Sequence, residues 1–265
     1  MLGFTLAAVT LLSVGLYVSA AHAFKFLKSS SVSSFSWSAH DSETTQQTYQ
    51  LSPAGSVSVS TTNGEITVTT HNKSEVLVKI TKEGDKNDFN FVTTEIKNDQ
   101  DTLSLEAVYK KNNCRAAVSY ELVVPEKASV TLETINGSVS VTGVTGGVQA
   151  QSSNGALNFE QTPALSYAQT VNGRIKVVAD TLIFGGKTVH LQTTNGSIFL
   201  AARAIASGAF SIRTVNGSIT LALPELPGTY GRRSASFSIP ATGTGSASFD
   251  IQTVNGSISL TKFSK

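Results

Sequence analysis

"TVNGSITL" at Thr214–Leu221 and "TVNGSISL" at Thr253–Leu260 are almost the same eight residues, 39 positions apart. Looser copies precede them: "TTNGEITV" from Thr61, "TINGSVSV" from Thr134, "SSNGALNF" from Ser152, "TVNGRIKV" from Thr170 and "TTNGSIFL" from Thr193. The shared centre is an Asn-Gly pair: Asn63-Gly64, Asn136-Gly137, Asn154-Gly155, Asn172-Gly173, Asn195-Gly196, Asn216-Gly217 and Asn255-Gly256. From Asn136 onward the spacings are 18, 18, 23, 21 and 39. The last interval is about double the others, so the period predicts a concealed copy inside it. "RRSASFSI" fits, with Ser234-Ala235 in place of Asn-Gly and Phe237 and Ile239 at the apolar positions.

Around each pair the apolar residues alternate with period 2, as in a strand with one buried face. Phe210, Ile212 and Thr214 lead into Asn216, and Ile219 and Leu221 follow it. The phase slips by one residue at Asn-Gly, which is what a corner does. Glycine there supplies the positive φ of a sharp bend, and Asn tolerates it. Asn-Gly is also a hairpin signal. A hairpin, however, needs no period near 20 residues and no constant corner chemistry. Asn falls in phase with the buried row, so the pattern places it inward, where stacked side chains can hydrogen-bond up a column. Thr134, Thr170, Thr193, Thr214 and Thr253 form a second column. The copy at Asn172 fits least well, because Ser166 and Ala168 stand where bulky residues belong.

These features predict an all-β chain: a single-stranded parallel β-solenoid, β-helix-like, with coils of about 18–23 residues and Asn-Gly corners. The chain of 265 residues divides as follows. Residues 1–23 read as a signal peptide ending in Ala21-His22-Ala23, or as an N-terminal membrane anchor, since no basic residue precedes the apolar run. Residues 24–48 read as a Ser-rich tether. Residues 49–265 form the solenoid domain, with an irregular charged part at 49–128 able to cap the coils and regular coils at 129–265. The C-terminal coil has no evident cap, and an exposed end invites another strand.

Charged residues make up 14% of the chain and the net charge is +2, which gives no electrostatic case for nucleic acid. Cys114 is the only cysteine and reads as a small apolar residue. The histidines are scattered, and no H-E-x-x-H, G-x-S-x-G or P-loop occurs. No cofactor or metal is expected. The regular coils hold Glu133, Glu160, Asp180, Glu225 and Asp250 in different registers, so the pair of carboxylates that glycan hydrolysis needs does not form. Asn-Gly-Ser at Asn136, Asn195, Asn216 and Asn255 matches the glycosylation sequon, but an inward Asn cannot carry a glycan. Outward positions are mostly Ser, Thr and Gln, a face able to hydrogen-bond sugars. "LPELPGTYGRR" is the most irregular loop of the coils, and Tyr230, Arg232 and Arg233 make it the first place to look for a partner contact.

"GSVSVSTTNGEITV", the charged strand pair after it, and "YELVVPEKASVTLETINGSVSVTGVTGGVQAQSSNGAL" together resemble the bacterial putative-adhesin family of β-strand-repeat domains, toastrack-like and of unknown function. The resemblance covers about residues 47–262. It implies an exported, non-catalytic cell-envelope protein, in the periplasm or at the cell surface. The alternatives are a membrane-anchored envelope-stress sensor or scaffold and, last, a polysaccharide-active β-helix enzyme. Expected partners are a cell-surface or cell-wall glycan, an envelope protein, or a second copy through the C-terminal coil. The membrane is a partner only through an uncleaved N-terminal segment.

Overall fold

The computed structural model describes residues 41–182, 188–205, 208–222, 228–239 and 247–262. Along the chain these form β1 (Asp41–Gln50), β2 (Ser56–Asn63), β3 (Ile66–His71), β4 (Glu75–Gly84), α1 (Lys86–Phe89), β5 (Val92–Asn98), β6 (Thr102–Tyr109) and β7 (Ala117–Pro125). The corner units follow: β8 (Ser129–Asn136) and β9 (Val139–Thr142), β10 (Gly147–Asn154) and β11 (Leu157–Glu160), β12 (Leu165–Thr170) and β13 (Ile175–Leu182), β14 (Thr188–Asn195) and β15 (Ile198–Ile205), β16 (Gly208–Asn216) and β17 (Ile219–Ala222). Last come β18 (Gly228–Tyr230), β19 (Ser234–Ile239), β20 (Ala247–Asn255) and β21 (Ile258–Lys262). Residues 41–48, assigned to the tether by composition, thus belong to β1, which pairs antiparallel with β4.

The strands make two large mixed sheets. One has ten strands in the order β1-β4-β7-β3-β9-β11-β13-β15-β21-β17, the other eleven in the order β18-β19-β16-β20-β14-β12-β10-β8-β2-β6-β5. Each Asn-Gly corner passes the chain from the eleven-stranded sheet to the ten-stranded one. Corner units pair with one another in parallel, and their inward residues join in one hydrophobic cluster. Val130, Leu132, Val139 and Val141 are at most 1% exposed, and equivalent positions in the other units are buried likewise except Ile219 and Leu221 of β17, which are half-buried. The first charged half closes one end with β1, β4 and β7 antiparallel on the ten-stranded sheet and the β5–β6 hairpin on the other.

The units do not stack in chain order. Strand β20 lies between β14 and β16, and β21 between β15 and β17, parallel to both neighbours. The C-terminal unit is therefore inserted beneath the one that precedes it in sequence. This corrects the reading of Ser234-Ala235 as a concealed corner. Strand β19 runs antiparallel to β16, with Ile212 opposite Ala235 and Arg213 opposite Ser234. Ala235 faces inward, 4% exposed, and period-2 patterning carries no strand direction. It also corrects the expected bare C-terminal coil: the edge strands at this end are β17 and β18.

The asparagines also differ from expectation. They form one continuous column, Asn63–Asn136–Asn154–Asn172–Asn195–Asn255–Asn216, in which each Nδ2 from Asn136 onward donates to the Oδ1 of the asparagine before it at 2.8–2.9 Å. Yet all but the half-buried Asn63 are exposed. The bend at the corner swings Asn outward, and the buried row ends at the preceding Thr. Thr134, Thr170, Thr193, Thr253 and Thr214 are at most 5% exposed. Their hydroxyls donate to the glycine carbonyl of the adjacent unit at 2.9–3.1 Å, and Ser152 does the same at Gly137. The sequon asparagines are thus at the surface, but their Nδ2 atoms are committed to the column.

Positive φ explains only Gly64, at +141°. At Gly137, Gly155, Gly173, Gly196, Gly217 and Gly256, a Cβ would sit 1.8–1.9 Å from a neighbouring glycine oxygen. Close stacking, not the bend, demands glycine there. The misfit at Asn172 also resolves. A bulge lets Leu165 take the inward place opposite Val148, while the Ser166 hydroxyl donates to the Val148 carbonyl at 3.2 Å.

The two columns differ in what a mutation should cost. Asn195→Ala removes two exposed amide bonds and is expected to cost about 1 kcal/mol. Thr193→Val leaves the Gly173 carbonyl without its buried donor and should cost about 1–3 kcal/mol. Urea titration of both variants ranks them, and a larger loss at Asn195 would contradict the burial order.

Candidate binding face

The stacked units align outward residues as strictly as inward ones. On the eleven-stranded sheet, the residue before each corner Thr or Ser forms one row. Pairing places Glu133 beside Gln151, then Gln169, Gln192, Gln252 and Arg213. Four glutamines thus stand on adjacent strands, about 4.8 Å apart. Gln151 and Gln192 are exposed, and Gln169 and Gln252 half-buried.

The Gln and Asn rows differ in one respect. Every adjacent pair in the Asn column shares a hydrogen bond, whereas among the described residues none joins one row glutamine to another. Gln169 Oε1 accepts from the Tyr167 hydroxyl, and Gln252 Nε2 donates to both Asp250 oxygens at 2.9 and 3.0 Å. The amides of Gln151 and Gln192 make no side-chain bond among the described residues and face solvent.

Two flanking rows complete the face, each about 7 Å along the strands. On the corner side, between each Thr or Ser and its Asn, lie Ile135, Ser153, Val171, Thr194, Val254 and Val215 in stacking order. Ile135, Val171, Val254 and Val215 are 39–50% exposed, and they are four of the six exposed large hydrophobics among the described residues. On the far side lie Gln149, Tyr167, His190, Asp250 and Ser211. His190 points outward, as its place between Val189 and Leu191 predicts, with Nδ1 3.5 Å from Asp250 Oδ2. The surface is a ridge of low apolar groups, a row of neutral amides, and a row holding one aromatic ring and one acid.

The arginine loop has another place. The Arg232 and Arg233 side chains are exposed, while their carbonyls accept from Ile219 N–H at 3.2 Å and Thr214 N–H at 2.9 Å. Elsewhere the equivalent isoleucine donates to the next unit: Ile198 to Ser257 and Ile258 to Ser218. The loop backbone therefore caps the outermost corner in place of a further unit. Arg213, on β16, belongs to the face. The Tyr230 side chain lies outside the described residues.

The acids divide between the sheets. Glu133 and Asp250 lie on β8 and β20 of the eleven-stranded sheet, and Glu160 and Asp180 on β11 and β13 of the other, where Asp180 Oδ1 meets Arg203 Nε at 3.2 Å. Glu225 lies outside the described residues. Strands β8 and β20 are separated by β10, β12 and β14, which puts Glu133 and Asp250 roughly 19 Å apart. Among the described residues no His, Cys, Asp or Glu group could hold a metal ion. Cys114 is half-buried against the core.

No protein-family model and no curated protein matches the chain. Solved structures do. A putative cell adhesion protein from Clostridium sporogenes aligns over 83% of this chain and 100% of its own, at 11% identity and a TM-score of 0.47. A putative adhesin from Bacteroides fragilis aligns over 82% and 97%, at 13% identity and 0.42. A putative lipid binding protein from Parabacteroides distasonis aligns over 83% and 97%, at 12% identity and 0.23. The chain is similar to proteins named putative adhesins. That name agrees with the resemblance carried by the corner repeat.

The Gln row had a sequence signal. Gln immediately precedes the corner Thr or Ser at Gln151, Gln169, Gln192 and Gln252. Reading it as one contiguous row requires the stacking order, because Gln192 and Gln252 are neighbours only through the inserted unit.

Proposed function

We propose that this chain is an exported, non-enzymatic β-solenoid of the cell envelope that binds a neutral, hydroxyl-rich polymer, a cell-surface or cell-wall glycan. The outer face of the eleven-stranded sheet is its binding surface. The observation that carries this reading is the contrast between two amide rows. The Asn column satisfies itself, and the Gln row leaves carboxamide donors and acceptors open at a regular spacing beside an exposed apolar row. Sugars present hydroxyls at their ring edges and C–H groups on their faces, which such paired rows can meet together. The Tyr167 ring adds an aromatic surface.

The non-catalytic part of this reading is supported by the spacing of the described acids in the regular coils. Glycosidase carboxyl pairs lie about 5–9.5 Å apart, well short of the span between Glu133 and Asp250. Export rests on the apolar run from Leu2 to Ala21 and its Ala-His-Ala end. Among the described residues no helix is long and apolar enough to cross a membrane, and that apolar run lies outside them.

The test is co-sedimentation of residues 24–265 with cell envelopes and purified cell-wall polymers. Retention without release of soluble sugar is the expected result. Gln169→Ala with Gln192→Ala should weaken retention about tenfold, the effect of about 1.4 kcal/mol, with unchanged thermal stability. Release of sugar fragments, or full retention by the double variant, would overturn the assignment.

A further inference from the structure

We infer that the C-terminal unit, β20 and β21, is an exchangeable insert that a second copy of this chain can supply. This last element of the described chain does not add to an open end. It enters a slot between two units made earlier in the sequence, pairing in parallel on both sides and in both sheets. The slot exists only if β16–β17 is held two strand spacings away from β14–β15.

The two walls of that slot match each other as well as they match the insert. Thr193, Thr253 and Thr214 share one level, as do Asn195, Asn255 and Asn216, then Ile198, Ile258 and Ile219, then Leu200, Leu260 and Leu221. Removing the insert would leave two edges with the same corner in the same register. The chain therefore has two self-consistent arrangements. In one the C-terminal unit is inserted. In the other β16–β17 stacks directly on β14–β15, and the C-terminal unit is left outside with its apolar row uncovered. That row is Phe249, Ile251, Ile258 and Leu260, all at most 1% exposed when inserted.

A displaced unit finds every native contact again in the slot of another copy, since exchange of an identical element reuses the same pairing. The insert is joined to the rest of the chain at one end only, since β19 ends at Ile239, β20 begins at Ala247 and β21 is the last described strand. Exchange is reciprocal, as each donor leaves its own slot vacant. The product carries two Gln faces in one molecule, which raises avidity for a polymer without any new contact.

The test uses full-length chains in a Cys114→Ser background. Ser197 and Ser257 immediately precede the paired Ile198 and Ile258, and both are exposed, about 5 Å apart across adjacent strands. Ser197→Cys and Ser257→Cys chains are mixed, unfolded, refolded together at rising protein concentration, and treated with a short thiol cross-linker. Peptide mapping then identifies the joined pairs. The doubly substituted chain, refolded dilute, should cross-link within itself. The mixture should yield a covalent dimer joined 197 to 257, in a yield that rises with concentration and exceeds the 197–197 and 257–257 products at least fivefold. A mixture that gives no excess of the 197–257 product, while the double variant cross-links internally, would overturn exchange. Failure of the double variant to cross-link internally would remove the inserted placement and the proposal with it.

Discussion

Gly196→Ala is expected to cost about 3 kcal/mol or more. A Cβ at Gly196 would lie 1.8 Å from the Gly173 oxygen and 2.6 Å from its carbonyl carbon. Neither atom can move without breaking the corner of the unit it belongs to. On the other side the Gly196 carbonyl accepts from the buried Thr253 hydroxyl at 2.9 Å, so the backbone cannot shift freely that way either. Overpacking a well-packed site costs about 1–3 kcal/mol when side chains can yield, and here the obstruction is backbone. Against a total stability of about 5–15 kcal/mol, the loss is severe. Gly147→Ala is the control, because its Cβ would meet only the Ser129 side chain, at 3.2 Å for Oγ. Urea unfolding should show a lower midpoint at equal slope for Gly196→Ala and a change of about 0.5 kcal/mol or less for Gly147→Ala. Equal effects would mean that glycine is required for another reason.

The second large effect is expected at Phe249. It is 1% exposed, lies level with Val189 on one neighbouring strand, and stacks on Phe210 on the other with centroids 4.2 Å apart and rings 2° from parallel. Truncation of a buried Phe to Ala costs about 3–5 kcal/mol. Phe249→Leu keeps most of the volume and should cost about 1–1.5 kcal/mol. Because Phe249 belongs to the inserted unit, the loss should be local before it is global. Amide hydrogen exchange should quicken first in β20 and β21, before β8 to β11. Uniform loss of protection would mean that the insert has no stability of its own to lose.

The corners, the strands around them and the inward rows were legible because alternation and Asn-Gly are local signals. Val189, Leu191 and Ile198 face inward for the reason the pattern gives. The order of the units was not legible. Units with the same corner can stack on one another in any order, so "TVNGSITL" and "TVNGSISL" cannot say which lies nearer Asn195. Nor does alternation say whether "SASFSI" runs with or against β16, which is why Ser234-Ala235 looked like a corner. The side on which Asn falls depends on the bend itself, and extending the strand phase through it put Asn on the wrong face. Burial of Thr193 and its neighbours was the signal for the true polar column, since their hydroxyls take the stacking bonds. The Gln face stayed hidden for the same reason as the order, being a property of the stack and not of any one unit.

The most direct test of that face is an amide NMR titration of residues 24–265 with a soluble fragment of the polymer retained in co-sedimentation. Side-chain NH2 resonances of Gln151, Gln169, Gln192 and Gln252 should shift together, while those of the Asn column stay in place because their hydrogen bonds are already made. Shifts confined to the backbone of Arg232 and Arg233, with the four glutamines unmoved, would contradict the account.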